Sequence, residues 1–428
     1  MKLKTAFCIL TAAIFTTHAS DLQFGGYLQN RTNLTLADEE VFSDINQARL
    51  EGSWDYSRGG IETHVILSAG FKPLDPFETI RQGSVMDRAA QELLLPLLLA
   101  LGEMQSDTDS LMNAHEELSM MLSDVDFDHI IKFLPYSSLY SSEKVLLDRA
   151  LVKMYFDRFD LYIGRQMIAW GTGYAFNPTD IWNSKNPLDP AAPKSGVNAL
   201  RAEIPFGALS GLSLIAAPGR NFEHSGGGFR YKTNAGRFDM SISGMSVNNA
   251  DRALLGIPRK IMAGADLAGQ IGEVGVWAEI AVNNPLYSGM EYTDFDSLYV
   301  QADLGLDYTF TNGLYMILEY YYNGLGRTDP ADYGARELIY MLSGEMAGFA
   351  RHYLFGSLSH TFGNYTNASL FALGNLVDAS VMLLPSVSYD VSDNITAELG
   401  AQIGIGDKKK SEYGGMFPNL LLTVTGYF

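Results

Sequence analysis

The chain has 428 residues, a formal charge of −19 at pH 7 and a single cysteine, with 42 Gly, 23 Tyr and 23 Phe. The acidity argues against a nucleic-acid partner, and one thiol cannot build a disulfide framework. So long a chain would ordinarily divide into two or more soluble domains, a limit that a membrane barrel escapes because its lipid-facing surface needs no core of its own.

Residues 1–20 read as a secretory signal. Lys2 and Lys4 supply the positive start, Thr5 through Phe15 the apolar run, and Ala19 and Ser20 the small residues of a cleavage site. The run is too short to cross a bilayer as a helix. Cys8 sits in its middle, away from the cleavage edge where lipid attachment occurs, so the mature chain carries no cysteine and no thiolate nucleophile. Residues 21–428 then form one domain.

Between about 76 and 134 the hydrophobic period is helical. Val85, Ala89, Leu93 and Leu97 share one face, and Leu111, Ala114, Leu118 and Leu122 another. Asp107-Thr108-Asp109-Ser110 offers N-caps, and Asp126 to Phe133 reads as a third short helix. By strand parity this insert is an outer, extracellular loop. It is too apolar to hang free in water, so it packs on itself, plugs the barrel mouth or meets a partner.

Elsewhere the period is two. Phe238, Met240 and Ile242 alternate with Arg237, Asp239 and Ser241, and Val274, Val276, Ala278, Ile280 and Val282 with Glu273, Gly275 and Glu279. Leu298, Val300, Ala302, Leu304, Leu306, Tyr308 and Phe310 form the longest apolar row, opposite Tyr299, Gln301, Asp303, Gly305, Asp307 and Thr309. Thr311-Asn312-Gly313 joins that strand to Leu314, Met316, Leu318, Tyr320 and Tyr322, and Asn-Gly is a strong hairpin signal. Ile395 to Ile405 alternates in the same way. Such strands have the length that a tilted strand needs to cross a bilayer, roughly ten residues.

Short turns near 57–60, 157–158, 234–236, 311–313, 363–364 and 392–394 alternate with long loops near 33–45, 72–147, 169–197, 246–257, 284–296, 325–348 and 407–417. That asymmetry predicts an all-β fold: a transmembrane antiparallel up-and-down barrel of about 18 strands, with 16 as the alternative because 198–233 is ambiguous. An even count puts both termini on the periplasmic side. Leu420, Leu422, Val424, Gly426 and Phe428 share a face of the final strand. A last strand ending Tyr427-Phe428 is the kind of signal the barrel-assembly machinery reads. The expected surroundings are outer-membrane lipid and lipopolysaccharide.

No catalytic constellation stands out. His64, His115, His129, His224, His352 and His360 are scattered, without metal-site pairing. Ser359 and His360 fall on opposite faces of one strand, so they cannot act together. Gly226-Gly227-Gly228 lacks a phosphate-cradle context and reads as a turn. The expectation is therefore a non-enzyme without cofactor or metal.

The most distinctive stretch is Ile163-Gly164-Arg165-Gln166, then Trp170-Gly171, Phe176-Asn177-Pro178-Thr179-Asp180, Asn186-Pro187-Leu188-Asp189-Pro190 and Ala199-Leu200-Arg201. Over about 40 residues it resembles the alginate-export-like and related porin-like outer-membrane families. The resemblance implies a barrel that passes solute or an exported polymer; the helical insert departs from a plain porin, and a plugged barrel serving as receptor, adhesin or scaffold is the other reading. Loops rich in Pro, Trp and Asn can fold inward and narrow a barrel. Arg165 and Arg201 would then either face Asp180 or Asp189 across a constriction or, in the case of Arg165 and Asp180, pin the loop by charge-assisted hydrogen bonds. Parity also sends Arg149, Lys153, Arg230, Lys232 and Arg237 inward, with Glu51, Asp55, Glu203, Asp303, Asp307, Glu319 and Glu398. Trp277, Tyr299, Tyr315 and Tyr321 share that lumen face. Passage of small hydrophilic solutes is the expected activity.

Overall fold

The computed structural model describes residues 22–36, 41–71, 84, 85, 88, 144–183, 187, 188, 194, 196–219, 225–248, 259–286, 298–342 and 344–428. The signal segment, most of the 76–134 insert and Asp189 lie outside the described residues.

Alternating apolar and polar side chains stabilise a strand that has lipid on one side and water or protein on the other, and the chain builds these strands in succession. They are β1 (Leu22–Thr35), β2 (Val41–Tyr56), β3 (Gly59–Phe71), β4 (Lys144–Tyr155), β5 (Asp160–Met167), β6 (Gly196–Pro205), β7 (Gly211–Ala217), β8 (Gly226–Ala235) and β9 (Phe238–Asn248) in the first half. The second half holds β10 (Arg259–Ile271), β11 (Val274–Leu286), β12 (Tyr299–Thr309), β13 (Tyr315–Asn323), β14 (His352–Phe362), β15 (Thr366–Asn375), β16 (Ser380–Ser392), β17 (Ile395–Ile405) and β18 (Asn419–Tyr427). All pair antiparallel with their neighbours in sequence, and β1 pairs with β18, closing an 18-stranded barrel. Closure leaves no strand edge with orphan N–H and C=O groups, the condition for a sheet in lipid. The seam is completed by Phe428, whose N–H and carbonyl both bond to Gly26 at 3.2 and 3.1 Å.

Register fixes the faces. Ile280 on β11, Leu304 on β12 and Leu318 on β13 lie on the same face of the sheet, and all three are exposed large apolar residues. Their alternates Glu279, Asp303 and Glu319 are buried inside. The same outward exposure recurs at Ile61, Leu200, Phe229, Leu370, Leu399 and Leu422, giving an apolar belt around the barrel. Burying such a belt in hydrocarbon rather than water contributes on the order of 25 cal/mol per Å².

The turn asymmetry is as expected. Asn312-Gly313 closes β12–β13, with Gly313 at φ +82° donating its N–H to the Phe310 carbonyl at 2.8 Å. Long connections follow β3, β5, β9, β11, β13 and β17. The ambiguous segment 198–233 holds three strands rather than an irregular stretch. Gly226-Gly227-Gly228, expected to be a turn, opens β8 instead. Its glycines leave room for bulky neighbours, because a Cβ on Gly226 would strike Trp182 and one on Gly228 would strike Met245. The loop expected over 33–45 is shorter, since β1 runs to Thr35 and β2 begins at Val41.

The core lies within the barrel, where inward-folded loops meet the wall. One cluster joins Ala175 and Phe176 of the β5–β6 loop, Tyr340, Met346 and Phe349 of the β13–β14 loop, and Tyr413 and Met416 of the β17–β18 loop to wall residues such as Tyr321, Tyr353, Phe355 and Met382. A second packs Ile168, Trp170 and Ile181 against Ala199, Ile215, Met245 and Met262. The β13–β14 loop carries helix α1 (Ala335–Leu342). Among the described residues of the insert, Val85 is fully buried in the first cluster, and the Arg88 guanidinium donates to the Lys409 carbonyl at 2.7 Å.

Candidate constriction site

A main chain leaving a strand and crossing a lumen carries N–H groups that need acceptors. In the β5–β6 loop those acceptors are two carboxylates of the far wall. Glu319 on β13 accepts the N–H groups of Tyr174 at 2.6 Å, Ala175 at 3.1 Å and Phe176 at 2.7 Å, together with the Trp277 indole N–H at 3.0 Å. Glu279 on β11 accepts the N–H groups of Thr172 and Gly173, and both the N–H and hydroxyl of Thr179 at 3.2 and 2.8 Å. Successive N–H groups curled round an anion form a nest, and each bond is charge-assisted. The Phe176 ring stacks on Tyr321 at 4.2 Å, adding apolar contact beside the carboxylates.

Trp170-Gly171 is the hinge of this arrangement. Gly171 has φ +99°, and a Cβ there would overlap the side chains of Asn177 and Glu279. Gly171→Ala is expected to unseat the loop while the barrel still closes, at a cost of about 1–3 kcal/mol from the backbone conformation alone. Limited proteolysis between 168 and 183, in protein whose heat-modifiable gel migration is normal, checks this; equal resistance to the parent refutes it.

Asp180 is a charged group of the loop itself, and it is buried. Its partners are the Lys194 ammonium and the Asn183 N–H at 3.3 Å. Burial pushes its carboxyl up to about 6, against the opposing pull of Lys194. Arg165 was expected to face or pin Asp180 and does neither. Register sets it beside Ala150 and Asn198, in the row that continues to Ile163 and Leu200 on the outward face. Arg201 also has a local partner, Glu203 at 3.6 Å, and lies 4.4 Å from the Tyr162 ring centroid.

The remaining expected lumen residues separate by wall. On β3 and β4, Glu62 meets Lys153 at 2.9 Å and Arg149 at 3.5 Å. On β8, Arg230 donates through Nη2 to both carboxylate oxygens of Asp266 on β10 at 2.9 and 3.0 Å and through Nε to the Ser241 hydroxyl at 2.8 Å, and Lys232 shares its face. Opposite them, Asp307 accepts the Tyr315 hydroxyl at 2.7 Å and Asp303 is buried on β12. Glu398 is half-buried on β17, where register sets it beside Ser388 and Thr423. Arg149, Lys153, Arg201 and Arg230 thus each have a nearby carboxylate partner, whereas β11–β13 carry Glu279, Asp303, Asp307 and Glu319 and no Arg or Lys.

Three functional groups had no place among the expected site residues. Glu279 was visible only as a polar alternate in its strand. Lys260 on β10 pairs with Glu345 of the β13–β14 loop at 2.8 Å, and Tyr299 donates its hydroxyl to the same carboxylate. Glu412 lies buried in the β17–β18 loop. Between the first two inward loops is a cavity of about 50 Å³, bounded by Phe176, Asn177, Asp180, Lys260, Gln301 and Glu345. The side-chain oxygen of Asn177 is buried there without a hydrogen-bond partner.

No family model matches the chain, and no curated protein matches it either. Solved structures do. It is similar to OccAB4 of Acinetobacter baumannii, with 9% identity and a TM-score of 0.54 over 96% of this chain and 98% of that one. OccK2 (OpdF) of Pseudomonas aeruginosa, solved with glucuronate, gives 9%, 0.52, 95% and 98% on the same measures. The outer membrane protein OpdK of the same organism gives 10%, 0.51, 96% and 100%. At these identities the shared property is the fold, a closed porin-like barrel matched along nearly the whole of each chain.

Proposed function

We propose that the protein is an outer-membrane channel for small hydrophilic solutes, with both termini in the periplasm and the β5–β6 loop as its constriction. The observation that carries this reading is the inward loop held by Glu279 and Glu319 inside a barrel whose inner face is polar. A barrel built only as a scaffold gains nothing from suspending main chain across its lumen on buried carboxylates. Residues of three loops pack together inside the barrel, which favours small solutes over the exported polymer that the Gly-Arg-Gln and Trp-Gly motifs also suggest. The carboxylates of β11–β13, on strands without Arg or Lys, give one side of the lumen an acidic lining against which charged solutes are sorted. Chemistry on the solute is no part of the reading.

Reconstituted protein in a planar bilayer is expected to show stepwise conductance. A silent bilayer, with the barrel verified as folded by heat-modifiable migration, would overturn the channel and leave the receptor or scaffold reading.

A further inference from the structure

We propose that the β17–β18 loop, residues 406–418, is a proton-held plug, seated in the lumen while the Glu412 carboxyl keeps its proton and released when that proton is lost. The motion stands on the loop's own contacts; only its consequence for passage rests on the channel reading.

Glu412 joins four parts of the barrel. Its carboxyl accepts the Tyr353 hydroxyl of β14 at 2.7 Å and the Asn375 amide of β15 at 2.8 Å. It also accepts the Phe349 N–H of the β13–β14 loop at 3.4 Å. Its own N–H goes to Asp378 in the β15–β16 turn at 2.8 Å, and the adjacent Tyr413 N–H goes to the Ser380 hydroxyl at 3.3 Å. Tyr413 and Met416 follow into the lumen cluster, where Val85 of the insert packs as well. A loop withdrawn from this seat would take the insert's contacts at Arg88 and Val85 with it.

Glu345 has Lys260 beside it, and Glu279 and Glu319 each accept three main-chain N–H groups; Glu412 accepts one, at 3.4 Å, with one hydroxyl and one side-chain amide. Among the described residues Glu412 has no ion-pair partner, and the titratable groups facing it are Asp378, Tyr353, Tyr413 and Tyr333, none of them a cation. Burial and the Asp378 carboxylate push Glu412 up to about 8. Asp378 is itself raised by burial, but hydrogen bonds from Ser380 and the Glu412 N–H oppose the rise, so Glu412 is the carboxyl of the two that keeps its proton. A free loop carboxyl titrates near 4.5. Because the seated value is raised, seating is strongest below about 4.5, weakens as pH climbs and levels off above about 8. Between those two limits seating weakens about tenfold for each step of one in pH, on the order of a thousandfold in all.

The cysteine-free mature chain allows a clean test. A spin label on Lys408→Cys, at the exposed tip of the loop, is placed in the full protein in lipid vesicles and its mobility is read at pH 5 and pH 9. The label is expected to be immobile at pH 5 and mobile at pH 9. In Glu412→Gln, a neutral stand-in for the protonated acid, it stays immobile at both. In Asp378→Asn, which lowers the drive to keep the proton, the change is reduced, and this variant stands in if Glu412→Gln does not fold. Equal mobility of the parent label at the two pH values, or a full transition in Glu412→Gln, overturns the proposal. Conductance recorded alongside separates the two readings: a mobile loop in a silent bilayer upholds the plug and removes the channel.

Discussion

Glu319→Ala is expected to release residues 174–176 into the lumen without opening the barrel, while Glu279 still holds Thr172, Gly173 and Thr179. The variant removes the acceptor of three consecutive N–H groups and of the Trp277 indole. Hydrogen bonds to a charged acceptor contribute about 1.5–3 kcal/mol each, and every buried N–H left without a partner costs about 1–3 kcal/mol. Re-entry of water offsets part of that, leaving about 3–5 kcal/mol against docking and an acceleration of amide exchange of roughly a hundred- to several-thousandfold at Tyr174, Ala175 and Phe176. The β12–β13 ladder should keep its protection, because Glu319 contributes to it through its backbone alone. Glu319→Gln should fall between, since an amide carbonyl accepts while its NH2 opposes an N–H. Native protection at 174–176 in Glu319→Ala would show that the apolar contacts of Phe176 suffice and that the carboxylate is not the anchor. In a conducting barrel the same variant should raise open-state conductance and noise.

The second large effect concerns the β13–β14 loop. Lys260 and Glu345 form an ion pair whose side chains are 3% and 1% exposed. Removing one member of such a pair costs about 3–5 kcal/mol because a charge is left buried, whereas replacing both is often close to neutral. Lys260→Met should therefore destabilise the seat of residues 344–350 strongly, and Lys260→Met with Glu345→Gln should recover most of the loss. A double-mutant cycle on exchange protection of those residues measures the coupling. Additive effects would mean that the two side chains are neighbours without being partners.

How much of this was legible in the sequence follows from the range of each interaction. The β12–β13 hairpin was plain, since period two and Asn312-Gly313 are local signals. The barrel itself follows from the same period repeated around the chain. The short strand β7 was not clear, because seven residues between a turn and a Gly-rich segment show little periodicity. The β5–β6 loop was readable as inward from its Trp, Asn and Pro content, but its anchors were not. Tyr174 and Glu319 are 145 residues apart, and nothing local marks the wall carboxylate that a loop amide will reach. The expected partner of Asp180 was an arginine of the preceding strand. The chain turns away from Arg165 after β5 and brings back Lys194, a residue of the same loop, into the burial that makes a counter-charge necessary. Lys260 and Glu345 are separated by strands and a loop, and only the closed barrel puts them together.

The anchoring of the β5–β6 loop through main-chain N–H groups bears on how such a protein can diverge. Every amino acid except proline offers the same N–H, so apart from the Thr179 hydroxyl and the Gly171 hinge the moorings at Glu279 and Glu319 do not depend on which side chains the loop displays. Drift at cavity-facing positions such as Asn177 can re-line the aperture while the strap stays fastened. The two wall glutamates hold the main chain, and an engineer seeking a tunable nanopore would leave them and the buried Trp170, Phe176 and Asp180 untouched and rewrite the cavity-facing positions.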